Sequence, residues 1–340
     1  MDPFRRLSGA RVRPPLLAPD ARDGHHRWDG DPARTSTRRR CRLSPPQLLP
    51  HRRGWGRIHR DRDPGHVLRP RRPSGHRGGP PPVRADASGD HRVTITIAAV
   101  EVHKRFGGVL ALRDVSISVA EGQVVGLIGP NGSGKSTLLN VMAGVERPTA
   151  GRVVLDGKRV DGLPAHRIVE RGVAKTHQIP RPFLGMTTED NVTVAALYGS
   201  WKVRDAGAAR EQARKVLNLI GLDGQADALA ASLTVQTRKR LEFGRAIATG
   251  ARILLLDEIF AGLSPDELRE AIRLFTHVQE EIGFGALVVE HVMPAVLTIS
   301  EHVVVIEEGR KIAAGTPSEV VRDPNVIEAY LGTEAARAAT

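Results

Sequence analysis

Residues 93–99 (VTITIAA) alternate apolar and polar side chains, the mark of a strand with one buried face. Gly107 and Gly108 then turn the chain toward a second apolar stretch at 115–119. Beyond them the pattern changes in kind. The runs at 124–128, 253–256 and 286–289 are short and apolar throughout, with helical spacing between them. A strand without a polar face is buried on both sides, so these runs predict a parallel sheet covered by helices, an α/β core. Between about 180 and 250 the strand signal fades. DAGAAREQARKVLNLIGL and LTVQTRKRLEFGRAIAT carry helical spacing there and predict a helical subdomain inserted into the core. After the last core strand come apolar residues 303–306, a turn at Glu308-Gly309-Arg310, a short strand at 311–314, and a helix opened by Thr316-Pro317.

Two segments carry chemistry. VVGLIGPNGSGKSTLL, residues 124–139, is an apolar strand, then GxxxxGKS from Gly129 to Ser136, then a helix-forming run. In the loop Gly129, Pro130, Asn131, Gly132, Ser133 and Gly134, glycines let successive backbone N–H groups converge on a phosphate. Lys135 adds a point charge, and Ser136 and Thr137 stand in the first turn of a helix whose positive dipole end faces the same anion. A glycine-rich turn that binds nothing needs none of this order, so a nucleotide is the expected ligand. The second segment, ILLLDE at 253–258, is a buried strand ending in two carboxylates. In nucleotide sites such an Asp, here Asp257, holds Mg2+, and the next acid, Glu258, orients the attacking water.

Composition divides the 340 residues unequally. Residues 1–92 hold 22 Arg and 9 Asp without one Lys or Glu, a net charge of +13 that leaves −1 for the remainder. They also hold 14 of the 23 Pro and 7 of the 13 His, and show no sustained period. Such a segment is expected to be a disordered extension, since it cannot bury enough apolar surface to offset its ordering entropy. Its composition reads as translated sequence upstream of the true start, or as an unselected extension, and no function is assigned to it. It lacks the basic, apolar, small-residue order of a signal peptide. No run of 18 apolar residues occurs anywhere, so the chain is not expected to span a membrane by itself. The single cysteine, Cys41, excludes an internal disulfide and fits a reducing compartment.

GPNGSGKST, a glutamine after a strand in AKTHQIPRP, LLLDE, and a late histidine in VVEHVMP follow one another in the order found in the ATP-binding subunits of ABC transporters, which residues 94–333 resemble. The resemblance implies an ABC ATP-binding domain over 93–338. Its fold would be a RecA-like P-loop ATPase core with an antiparallel β subdomain and an inserted helical subdomain, and two subunits would pair head to tail around two ATP. It also implies roles. Phe106 stacks on adenine; Gln178 contacts Mg2+ and the attacking water; His291 holds the γ-phosphate; Ser136, Gln178 and Asp257 hold the metal; Glu258 is the catalytic carboxylate. The signature segment departs from the family's LSGGQ pattern: here it reads LTVQT, residues 233–237. Thr234 keeps a hydroxyl for the nucleotide of the opposite subunit, but Val235 and Gln236 fill both glycine positions, which predicts hindered approach and an unequal dimer. Ser264 stands where an Asp is frequent at the dimer seam.

Within that group KRFGGVLALRDVS, LGMTTEDNV, AGLSPDE and GTPSEVVRDPNVIEAYLG are most similar to the ATPases of branched-chain amino-acid importers. The implied partners are permease transmembrane subunits, a second ATP-binding subunit, identical or not, and, indirectly, a periplasmic or extracellular solute-binding protein. The implied location is the cytoplasmic face of the cell membrane, and no nucleic acid is expected. Urea or amide import, lipopolysaccharide export, a soluble non-transport ABC protein and a non-hydrolytic regulatory partner are the alternatives.

Overall fold

The computed structural model describes residues 94–331; the extension expected to be disordered lies outside the described residues. The strands, in chain order, are β1 (Thr96–Phe106), β2 (Val109–Ala120), β3 (Val124–Ile128), β4 (Ala150–Leu155), β5 (Lys158–Arg159), β6 (Val173–Lys175), β7 (Ile253–Asp257), β8 (Gly285–Val289), β9 (His302–Glu307) and β10 (Arg310–Gly315). They form a four-stranded antiparallel sheet, β2-β1-β4-β5, and a six-stranded sheet, β10-β9-β3-β8-β7-β6, that is parallel except for the β10 edge. The helices are α1 (Lys135–Met142), α2 (Ala165–Val169), α3 (Thr188–Tyr198), α4 (Ala206–Leu219), α5 (Val235–Ala248), α6 (Pro265–Ile282), α7 (Met293–Ile299), α8 (Pro317–Val320) and α9 (Pro324–Leu331).

The alternation over 93–99 marks only the start of β1, which runs on to Phe106. Register shifts after Ala99 and after Val102, with Glu101 at φ 50°, break the period-2 pattern while the pairing with β2 continues. A bulge hides the second half of a strand from any periodicity count.

The uninterrupted apolar runs of the parallel strands separate onto two faces. Val125, Leu127, Ile253, Leu255, Leu287 and Val289 join the core shared with the antiparallel sheet and α1. Their neighbours Val124, Leu254, Leu256, Ala286 and Val288 join a second core with α4, α5 and α6. That second core is knitted by Phe243, Phe260, Phe275 and Phe284, whose rings lie 5.9 to 6.2 Å apart between centroids. The helical segment α3–α5 is therefore anchored through the underside of the sheet. β3, β8 and β7 are adjacent, so residues that follow their C-terminal ends gather along one rim. In open α/β sheets that rim is where ligands bind.

Candidate active site

The loop after β3 is fixed by close backbone approach. A Cβ on Gly129 would stand 1.9 Å from the carbonyl oxygen of Ile306, and one on Gly134, at φ 102°, would stand 2.6 Å from that of Ala111. From the other side, Gly309 N–H donates to Ser133 O at 3.0 Å, so the turn between β9 and β10 braces the loop. Lys135 is 7% exposed, and its Nζ donates to Gly129 O at 2.7 Å, Pro130 O at 2.8 Å and Ser133 Oγ at 3.4 Å. Burial lowers the pKa of its amine, while Glu258 and Asp257 pull it back up. Gly134 is the N-cap of α1 and offers no side chain, so no side-chain cap covers the first-turn amides of that helix. A cradle of amides with one buried cation is suited to a polyphosphate.

Across the rim, Asp257 ends β7 with 3% exposure and is held from three directions. Ser136 Oγ donates to its Oδ1 at 3.3 Å, Lys175 Nζ lies 3.5 Å from Oδ2, and its own N–H donates to Thr176 Oγ1 at 3.1 Å. A hydroxyl and a carboxylate converging beside a phosphate loop are hard oxygen donors, the set Mg2+ prefers when phosphates complete its shell. The protein residues fit that ion. Among the described residues no cluster of three His, Cys, Asp or Glu side chains offers an all-protein metal site.

Glu258 follows with φ 52°, and Gln178 Nε2 donates to its Oε2 at 2.7 Å. His291, directly beyond β8, brings Nδ1 to 3.9 Å from Glu258 Oε1. The loop, Asp257, Glu258, Gln178 and His291 thus share one rim. Phe106 and Thr234 make no bond to this cluster among the described residues. Phe106 ends β1, 45% exposed, with Lys104 Nζ 4.5 Å from its ring centroid. Thr234 caps α5, its Oγ1 accepting the Thr237 N–H at 3.1 Å. Ser264, expected at the dimer seam, is the N-cap of α6 in a reciprocal capping box with Glu267.

Sequence reading passed over several charged residues around this rim. Glu242 is 6% exposed and joins His177 Nδ1, at 2.9 Å, to Arg245 Nη1, at 2.7 Å, so it ties the segment before Gln178 to α5. Burial opposes its ionisation, but the His177 hydrogen bond and the Arg245 charge outweigh that and hold its pKa below the usual range. Lys239 and Glu290 flank Glu258, the first through a hydrogen bond to its carbonyl. Glu290 had a signal, a charge abutting the apolar run of β8. Lys239 and Glu242 had none, because their partners lie far away in sequence.

A phosphate cradle, a hydroxyl–carboxylate pair and a second carboxylate on the rim of a parallel sheet define a P-loop nucleotide hydrolase of RecA-like fold. A family profile described as ABC transporter matches residues 112–261, and one described as branched-chain amino acid ATP-binding cassette transporter matches 310–336. The high-affinity branched-chain amino acid transport ATP-binding protein BraF of Pseudomonas aeruginosa is 40% identical over 240 residues, covering 67% of this chain and 94% of that protein. LivG of Escherichia coli K12, described in the same terms, is 36% identical with the same coverage. The lipopolysaccharide export system ATP-binding protein LptB of Acidithiobacillus ferridurans is 34% identical over 238 residues, covering 70% of this chain and 97% of that protein. Among solved structures, a nucleotide-free ATP-binding cassette from an ABC transporter superposes with TM-score 0.62 at 32% identity, covering 70% of this chain and all of that one. The ADP conformation of an ABC transporter cassette gives 0.63 at 31%, covering 70% and 99%. The chain belongs to the ABC transporter family, as one of its ATP-binding, ATP-hydrolysing subunits.

Proposed function

We propose that this subunit hydrolyses ATP to power an importer of branched-chain amino acids. In this reading Phe106 stacks on adenine. Residues 129–134 with Lys135, Ser136 and Thr137 bind the phosphates through main-chain amides and one cation. Ser136, Gln178 and Asp257 hold Mg2+, which when bound neutralises charge developing on the phosphate oxygens. Glu258 polarises the attacking water, and Gln178 and His291 register the presence of the γ-phosphate. The observation that carries the hydrolytic reading is the meeting of Ser136 with Asp257 at 3.3 Å and of Gln178 with Glu258 at 2.7 Å on the same rim.

The importer assignment rests on the likeness to BraF and LivG and on the C-terminal match over 310–336. Exposed apolar side chains close to Gln178 in sequence support a docking face for permease helices: Ile179 is 74% exposed, and Phe183 and Leu184 are exposed as well. A solute-binding protein would act through those permeases, and this subunit would sit at the cytoplasmic face of the membrane. No helix among the described residues is long and apolar enough to cross a membrane. A second ATP-binding subunit would bring its signature helix to the nucleotide held here, while Thr234 would face the partner's nucleotide. The likeness to LptB supports lipopolysaccharide export as the second reading.

Substituting Glu258→Gln is expected to leave ATP affinity in place and abolish hydrolysis, by calorimetry and phosphate release. Hydrolysis at the parent rate would remove Glu258 from its role. Deleting the subunit is expected to stop uptake of labelled leucine, isoleucine or valine. Undiminished uptake with lost lipopolysaccharide export would replace the importer with the second reading.

A further inference from the structure

Glu258 holds a left-handed backbone conformation, φ 52°, that a residue with a side chain adopts at a cost. Such geometry persists where its surroundings over-determine it. Glu258 N–H donates to Val289 O at 2.9 Å. Lys239 Nζ, reaching from α5, donates to Glu258 O at 3.0 Å and to Ala261 O at 2.7 Å. The N–H of Phe260 donates to Glu290 Oε1 at 2.7 Å, and its ring is buried edge-on against Phe275, 6.0 Å between centroids.

Lys239 is half-buried. Glu290 is fully buried, and its Oε2 has no hydrogen-bond partner among the described residues. Burial lowers the pKa of the Lys239 amine, with Glu290 and Glu258 acting against that shift. A buried carboxyl group and a half-buried amine, both desolvated, are expensive unless they fix something. What they fix is one four-residue stretch, 258–261, from two different elements.

We propose that Lys239 and Glu290 are positioning residues that clamp the 258–261 backbone from α5 and from the end of β8, holding the Glu258 carboxylate between Gln178 and His291. The inference rests on the reading of Glu258 as the group that activates water. Lys239 lies little more than one turn into α5, whose N-cap is Thr234, so displacement of that helix moves the Glu258 carbonyl directly. The clamp links the helix that would meet a partner's nucleotide to the carboxylate that activates water against this subunit's own. Burial pushes the Glu290 pKa up to about 7; the Phe260 and His291 amides and the Lys239 amine draw it down, and Glu258 adds to the rise. Its protonated and ionised forms both keep an acceptor for Phe260.

The test is steady-state ATP hydrolysis by the full-length chain with Mg2+, alongside ATP affinity by calorimetry. Lys239→Met, which keeps the aliphatic stem, is expected to lower kcat about tenfold or more with Kd for ATP within about twofold of the parent. Glu290→Leu is expected to do the same. Glu290→Gln, which retains the acceptor, is expected to recover most of kcat and to flatten its pH profile between about pH 6 and 8. Parent-like kcat in Lys239→Met, while Glu258→Gln remains inactive, overturns the clamp and spares the site reading. Hydrolysis by Glu258→Gln overturns both. If Lys239→Met does not fold, the Glu290 pair decides: equal losses in Leu and Gln overturn the clamp.

Discussion

The two sides of the catalytic rim are built by opposite means. On the phosphate-loop side the chain offers main-chain amides around the single buried amine of Lys135, and α1 begins at Gly134, which has no side chain to cap it. On the α5 side everything is made of side chains: Thr234 caps its own helix, Val235 is exposed at the first turn, and Lys239 and Glu242 reach away to other elements. Helices α3, α4, α6 and α8 are likewise capped by Thr187, Asp205, Ser264 and Thr316. The difference teaches where a ligand belongs. A side-chain cap satisfies a helix start from within; α2 and α7 also start without one, and α1 differs from them in following the glycine loop with Lys135 in its first turn.

The comparison breaks most sharply at Gly129. Gly129→Ala puts a methyl group into the Ile306 carbonyl, so ATP binding is expected to vanish in calorimetry and thermal unfolding to show a loss of about 3 kcal/mol or more. An alanine variant with parent affinity would mean that the loop is not built by backbone approach.

The side-chain region is expected to answer to pH instead. The Glu290 carboxyl titrates near 7 in the fold, above its ordinary 4.5, so the folded state keeps a proton that the unfolded state releases between those values. Stability therefore falls as pH rises through that window and levels off above it, an effect on the order of 3 kcal/mol. Denaturant unfolding at pH 5 and pH 8 should show Glu290→Gln lacking that decline relative to the parent; equal declines in the two proteins would remove Glu290 as its source.

Lys135→Ala is expected to weaken ATP binding roughly 100-fold by titration calorimetry, since a buried cation and its charge-assisted bonds are lost. An affinity change of less than about threefold would assign phosphate recognition to amides alone. The smallest effect is expected at Thr234. Thr234→Ala removes the α5 cap at a cost of about 1 kcal/mol in thermal unfolding, with ATP affinity of the isolated subunit unchanged. Reduced affinity would place this helix start at the subunit's own nucleotide.

Much of this was legible because it is local. The parallel strands announced themselves by apolar runs, and the phosphate loop by residues within a single turn of chain. The antiparallel sheet was read only in part, since bulges in β1 interrupt the alternation and β5 spans only two residues. Asp257 and Glu258 were visible at a strand end. The groups that hold them were not: Lys239 and Glu290 are 19 and 32 residues from Glu258, and Glu242 is 65 from His177. Side chains that act across such gaps leave no periodic trace, apart from the charge that ends the β8 run. Ser264 has a local role that the likeness did not bring out, capping α6 in a reciprocal box with Glu267.

Ile128, the residue just before the phosphate loop, is buried together with Val320 and Val326 from the last two helices. During synthesis the strand bearing Ile128 emerges almost two hundred residues before that packing can exist. The apolar layer behind the phosphate loop is therefore completed only once residues 317–331 have been made and have folded against it.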